Sequence, residues 1–311
     1  MSETHVVLGA GGGAGNAIAL ALNEAGLSVR GVNRRGDAPL PAGVERLAAD
    51  ITTEAGVDAA VSGASVVYMA AQPAYHRWSQ EFPAMLDSVI AATGRADARL
   101  VMVDNLYVYG RGSGPMGEDT PERATDKKGV VRRRLTDMLR TADRTGRVPV
   151  AIGRASDYFG PRADNSGITA IAIEKAAAGK KPSWLLALDA PHSVAFLPDV
   201  ARAFVTLGTS NEAFGETWVL PHGSAPTGRE FLDLVNREMD EPRGAGLISK
   251  GMLRMAAPFV RTIRETLDLS YQWSDPFVAD DSKFQRVFGP FEVTPLADAV
   301  RLTMEAYKSR V

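Results

Sequence analysis

The sequence predicts an α/β chain: a doubly wound parallel sheet carrying a smaller C-terminal α/β region. Three observations carry that prediction. Short β-branched runs alternate with longer stretches of helical period up to about residue 155; the alternation then stops; and a glycine-rich turn joins the first apolar run to an alanine-rich one. The boundaries follow as 1–155 for the sheet domain and 156–311 for a region expected to bind substrate, with some of its strands and helices returning to the sheet.

Strands are expected at HVVLGA, LSVRGVN, VERLAAD, ASVVYMA, RLVMVDN and PVAIGRA, each too short for a helix and rich in valine. Crossover helices start near Gly12, Thr53, Gln80 and Glu122. Beyond Arg154 the segment DYFGPRADNSG opens a mixed region of loops and helices. Helices are expected there from Asp199 to Leu207, Arg229 to Met239 and Leu296 to Lys308, with Asp199 and Thr227 as N-caps.

Composition narrows the chemistry. A chain of 311 residues with 45% hydrophobic content can bury a large core. The absence of cysteine removes disulfides, thiolate zinc sites and cysteine nucleophiles. The four histidines, at 5, 76, 192 and 222, lack metal-ligand spacing, so no metal is expected. A net charge of -2 supplies no field for nucleic acid. No stretch has the length of a membrane span, and MSETHVVLGAGGG enters a strand directly, so the expected partner is a small-molecule substrate in the cytoplasm, with no membrane partner.

The segment VVLGAGGGAGNAIALAL holds the strongest signal. Gly9, Gly12 and Gly15, with Gly13 and Ala14 between them, sit where a strand turns into a helix. The first glycine permits the tight turn, the second lets backbone amides approach a pyrophosphate, and the third allows close helix packing. A helix N-terminus adds positive potential there. This is the signature of a Rossmann-type dinucleotide site.

About 20 residues on, at the end of the second strand, a carboxylate ordinarily holds the ribose 2′-hydroxyl of NAD. Asn33 stands there instead, followed by Arg34 and Arg35, two guanidinium groups suited to a 2′-phosphate, so NADP(H) is expected in preference to NAD(H). Asp50 and Ile51 close the third strand and Ala70, Ala71 and Gln72 the fourth, at the carboxyl ends where open α/β sheets bind ligands. Asp50 either bonds the adenine amino group or caps the helix near Thr53.

Together with YMAAQP, VMVDNLYVYG followed by Glu118 and Pro121, GRASDYFGP, FLPDVARAF, GETWVLP and DDSKFQRVFG, the loop resembles the extended and atypical short-chain dehydrogenase/reductases, in particular the NAD-dependent epimerase/dehydratase branch. The resemblance implies a second domain closing over the substrate, and a homodimer. Such proteins usually carry a Ser or Thr after the fifth strand and a Tyr-xxx-Lys on the next helix. Asn105, Lys128 and Arg132 stand at those places here.

KKGVVRRRL is similar instead to the K-xxx-RR pattern of isoflavone-reductase-like members, which implies Lys128 as acid/base group, with Asn105 and Arg132 beside it and also a cofactor contact from Lys128. Val131, Leu135, Met138 and Ala142 form an apolar stripe that Lys128 extends by one turn, so Lys128 should face inward while Arg133 and Arg134 meet water. Tyr107 and Tyr109 are expected on alternating strand positions. Tyr158 is the preferred second proton donor.

The expected pocket draws on Tyr75, Trp78, Tyr107, Tyr158, Phe159, Trp184 and His192, an aromatic lining suited to a small hydrophobic or aromatic substrate. Three activities fit: an NADP(H)-dependent oxidoreductase acting on a carbonyl or conjugated carbon, a non-catalytic NADP(H) sensor resembling NmrA-like regulators, and an epimerase or dehydratase that recycles its cofactor within each turnover.

Overall fold

The structure is a computed structural model that describes residues 3–310. It divides into two compact units. The first comprises Met1–Asn105, Lys127–Arg154 and Ala201–Trp218. Its elements run β1 (Thr4–Leu8), α1 (Gly13–Glu24), β2 (Ser28–Asn33), β3 (Glu45–Ala48), α2 (Glu54–Val61), β4 (Val66–Met69), α3 (Trp78–Arg95), β5 (Arg99–Asn105), α4 (Lys127–Arg144) and β6 (Val150–Ala155).

These strands form one seven-stranded sheet, completed by Thr217–Val219 beside β6, in the order Thr217–Val219, β6, β5, β4, β1, β2, β3. Parallel pairing sets Val6 against Arg30 of β2 and Val67 of β4, and Val67 against Leu100 of β5. The order reverses at β1, which is the switch point where such sheets open a crevice for ligands. Helices cover both faces of the central strands, so Val6, Val7, Leu8, Val66, Val67, Leu100 and Val101 are buried without alternation.

Glycines let the helix Leu197–Thr209 lie close to the sheet. A Cβ on Gly153 of β6 would stand 2.5 Å from the Phe204 ring, and one on Gly208 would collide with the Tyr68 hydroxyl, which is hydrogen-bonded to His5 Nδ1 at 3.0 Å. Gly153→Val is therefore expected to lower stability by about 1–3 kcal/mol through overpacking, read as a fall in the urea midpoint at unchanged slope.

Three boundaries differ from expectation. The strand predicted at 44–50 is confined to Glu45–Ala48, a largely exposed edge. The helix expected near Glu122 starts at Lys127, because Pro121 precedes a segment held extended by the Ala124 amide on the Val108 carbonyl. Tyr107 and Tyr109 are not on a strand: β5 ends at Asn105 and Leu106–Val108 close a 3₁₀ turn.

The second unit comprises Leu106–Asp126, Ala155–Val200 and Val219–Val311. Two small parallel pairs organise it, Asp157–Phe159 with Val194–Phe196 and Ser183–Leu185 with Gly246–Ile248. Phe159, Trp184, Phe196, Phe231, Val235, Val300 and Tyr307 build its core. Thr227 caps Gly228–Arg237 through a reciprocal capping box with Glu230. Asp199 is not an N-cap. It lies in the first turn of its helix, and its carboxylate accepts from the Thr294 amide and hydroxyl, tying down the start of Leu296–Lys308.

Candidate dinucleotide and proton-transfer site

The loop between β1 and α1 is shaped by close approach. Gly9 adopts φ +93°, and a Cβ there would stand 2.7 Å from the Ala71 amide; a Cβ on Gly15 would stand 2.3 Å from the Gly9 carbonyl. The Gly9 and Ala10 amides both bond the Val32 carbonyl, pinning the turn to β2. Gly12 is the N-cap of α1 and makes no side-chain cap bond, so no capping side chain covers the first-turn amides of Gly13, Ala14 and Gly15. Uncapped amides at a helix N-terminus suit a pyrophosphate, and the glycine cradle that a Cβ would fill fits the dinucleotide.

The end of β2 carries a feature the linear order hides. Asn33 lies against the loop, with Nδ2 3.1 Å from the position of a Cβ on Gly11. The same amide donates to Asp37 Oδ1 at 2.8 Å, and Arg35 Nε bonds Asp37 Oδ2 at 2.7 Å. These bonds, Asn33 first and then the Arg35 guanidinium, hold the Asp37 carboxyl below its ordinary range. A carboxylate therefore does stand at this strand end, brought back by the turn at Gly36, φ +68°. Arg35 is engaged by it, and Arg34 is exposed.

Asp50 spends Oδ1 on the amide and hydroxyl of Thr52, bonds that lower its pKa, while Thr53 caps α2. Ile51 is buried beside it. Ala71 packs on Gly9, and Gln72 turns its Oε1 to Arg132 Nη2 at 3.0 Å.

Lys128 sits in the first turn of α4, 5% exposed, its Nζ donating to the Tyr75 carbonyl with the Tyr75 and Trp78 rings 5.7 and 5.9 Å away. Its inward position follows from the helical stripe with Val131 and Leu135, both buried, while Arg133 and Arg134 are exposed. Arg132, one turn on and 4% exposed, stacks on Trp78 and pairs with Asp104 at 3.2 Å. Arg154, fully buried, holds the other Asp104 oxygen at 3.1 Å. Arg132 is thus a strut between β5 and the β4 end, a positioning residue for Lys128 and Gln72. Removing a partner from a buried ion pair leaves an uncompensated charge, so Asp104→Ala is expected to destabilise by about 3–5 kcal/mol, read from denaturant unfolding. Asn105 closes β5 in the same unit.

The remaining predicted pocket residues divide. Tyr75 is half-buried beside Lys128 and stacked on Trp78, which is fully buried with its indole donating to the Pro73 carbonyl. In the second unit Tyr107 and Tyr158 are half-buried. Trp184 is packed in the core on Phe231 and Trp273, whereas Phe159, also buried, borders a cavity of about 240 Å³ walled by Val194, Phe196, His222 and Thr294. His192 is buried, stacked on Trp273, with Nδ1 at the Gln272 carbonyl and Nε2 2.9 Å from Asp157.

A profile of the NAD dependent epimerase/dehydratase family matches residues 5–220, well over half of the chain. The chain belongs to that family. Solved structures agree in fold. A nucleoside-diphosphate-sugar epimerase from Pseudomonas aeruginosa has a TM-score of 0.80 at 19% identity, covering 99% of this chain and 98% of that one. UDP-glucose 4-epimerase from Thermotoga maritima, solved with UDP-glucose, scores 0.82 at 15% identity over 99% of both chains. UDP-glucuronic acid 4-epimerase from Bacillus cereus, in complex with UDP-glucuronic acid and NAD, scores 0.80 at 16% identity over 99% of this chain and 100% of that one. At these identities the likeness establishes the fold. No curated protein matches the chain.

Within this family member the sequence reading missed Asp37, the Asp104 pair of arginines and the Asp157–His192 contact. Each joins residues from different elements or across a turn, and no period or spacing marks such pairs. A buried arginine at the end of a strand reading PVAIGRA was the one available signal for Arg154, since so apolar a strand leaves a charge nowhere to go but to a partner.

Proposed function

We propose that this family member is a pyridine-dinucleotide-dependent oxidoreductase acting on a carbonyl or conjugated carbon of a small hydrophobic or aromatic substrate, with Lys128 transferring the proton. The observation that carries the proposal is the buried Lys128 ammonium, fixed at the Tyr75 carbonyl by a helix whose next turn is locked through Arg132 and Asp104. When bound, the dinucleotide supplies hydride exchange. The Gly13, Ala14 and Gly15 amides would hold its pyrophosphate, with Ala71 beside Gly9 at the edge of the loop. Lys128 Nζ then gives or takes the proton at the substrate oxygen, and the aromatic face of Tyr75 favours an apolar substrate.

NADP(H) is the proposed form, held at the 2′-phosphate by Arg34. Because Asp37 occupies Arg35 and adds negative charge at the same strand end, the preference is modest. Asp37→Asn is expected to free Arg35 and raise NADPH affinity relative to NADH by about tenfold, while Arg34→Ala reverses the preference, both read by fluorescence titration. An unchanged NADPH to NADH ratio in both variants contradicts this assignment.

The activity test is nicotinamide absorbance with NADPH or NADH and a panel of aldehydes, ketones and enones. Consumption of the reduced dinucleotide supports the reading. Tight binding without consumption favours the sensor reading, which the asparagine at position 105, where a hydroxyl is usual, already recommends. Dinucleotide retained through purification, with a thermal shift on adding UDP-glucose, favours internal recycling.

A further inference from the structure

Residues 243–264, RGAGLISKGMLRMAAPFVRTIR, contain five cationic side chains and no carboxylate, in a chain whose net charge is -2. Lys250, Arg254, Arg261 and Arg264 are all exposed, as is Arg243, which is paired with Glu241 at 2.8 Å. Among them stand the most exposed large apolar side chains of the described residues. Phe259 is 88% and Met255 70% exposed, and Leu247, Met252 and Val260 are exposed as well. The helix Lys250–Ala256, capped by Ser249, continues as one more turn through the Phe259 and Val260 amides on the Ala256 carbonyl. Met252, Met255 and Phe259 therefore share one face at i, i+3, i+7, while Leu253 and Ala257 turn to the body of the unit.

A contiguous exposed apolar face on a soluble protein marks a contact surface. Its charge selects the partner. A twofold contact with a second copy would lay this patch on itself, bringing Lys250, Arg254, Arg261 and Arg264 of both copies into one interface to which the segment contributes no carboxylate. Nucleic acid would meet the cations and stack a base on Phe259, but it leaves Leu247, Met252, Met255 and Val260 in water. Anionic lipid satisfies both, since basic residues bind headgroups while apolar side chains enter the acyl boundary. We infer that residues 247–264 dock on the surface of an anionic phospholipid bilayer. This departs from the expectation of no membrane partner, which rested on the lack of a spanning segment; no described helix is long and apolar enough to cross a membrane, and surface docking needs none.

The test is co-sedimentation of the full chain with vesicles of phosphatidylcholine alone or doped with phosphatidylglycerol. Binding is expected with the phosphatidylglycerol vesicles only, weakening as salt rises. Met255→Ser with Phe259→Ser should lower the partition at least tenfold, and Arg254→Glu with Arg261→Glu should abolish it. Far-UV circular dichroism and dinucleotide binding, both unchanged, will show that these exposed substitutions leave the fold intact. No sedimentation with phosphatidylglycerol, sedimentation undiminished by either pair, or a concentration-dependent dimer dispersed by the serine pair overturns the inference; the last outcome assigns the surface to a second copy.

Discussion

Gly15→Val will abolish measurable dinucleotide binding. A Cβ at this position falls 2.3 Å from the Gly9 carbonyl and 2.7 Å from its carbon, both backbone, so neither can rotate away. The first turn of α1 must then back off the loop, and the amides of Gly13, Ala14 and Gly15 no longer converge on one pyrophosphate. Hydrogen bonds to a charged oxygen contribute roughly 1.5–3 kcal/mol each, so misplacing two of them raises Kd by more than about 100-fold. Gly167→Ala is the control, because its position has open space and no left-handed backbone. Fluorescence titration with NADPH and NADH reads the effect. A Kd within about threefold of the parent protein's would remove the loop from the binding account.

Lys128→Met will leave dinucleotide affinity near that of the parent protein and cut turnover by about 10²–10⁴-fold, the usual range for loss of a positioned proton-transfer group. Methionine keeps the stem in the apolar stripe with Val131 and Leu135, so folding should persist, and the melting midpoint checks that. The split between kcat and Kd separates this role from a structural one. A structural Lys128, serving only to hold the Tyr75 carbonyl, would lower stability and affinity together and spare kcat in the folded fraction. Turnover unchanged by the substitution assigns the proton to another group, with Tyr75 beside it and Tyr158 of the second unit as the next variants.

Strands β1, β4, β5 and β6 were legible because a parallel sheet buried on both faces writes itself as nearly uninterrupted apolar runs, and the glycine loop because backbone approach admits no other residue at Gly9 and Gly15. The inward position of Lys128 was legible from the helical stripe. Asp37 was not, since its meeting with Asn33 depends on a left-handed Gly36 rather than on strand position, and a rule that looks for acid at the strand end finds only Asn33. Trp184 resembles pocket lining in the sequence, because aromatic residues in loops look alike whether they cover a core or a ligand, but it packs on Phe231 and Trp273. Asp199 has the composition of an N-cap, but its oxygens are claimed by Thr294, 95 residues away. Local chemistry names what a residue can do, and long-range packing decides which option it takes.

The measurement that most directly tests the central claim is isothermal titration of the chain with NADP⁺, NADPH, NAD⁺ and NADH in turn. Saturable one-to-one binding of at least one, with the phosphorylated forms bound modestly more tightly, is the predicted result. Absence of heat and of any thermal shift with all four would contradict it.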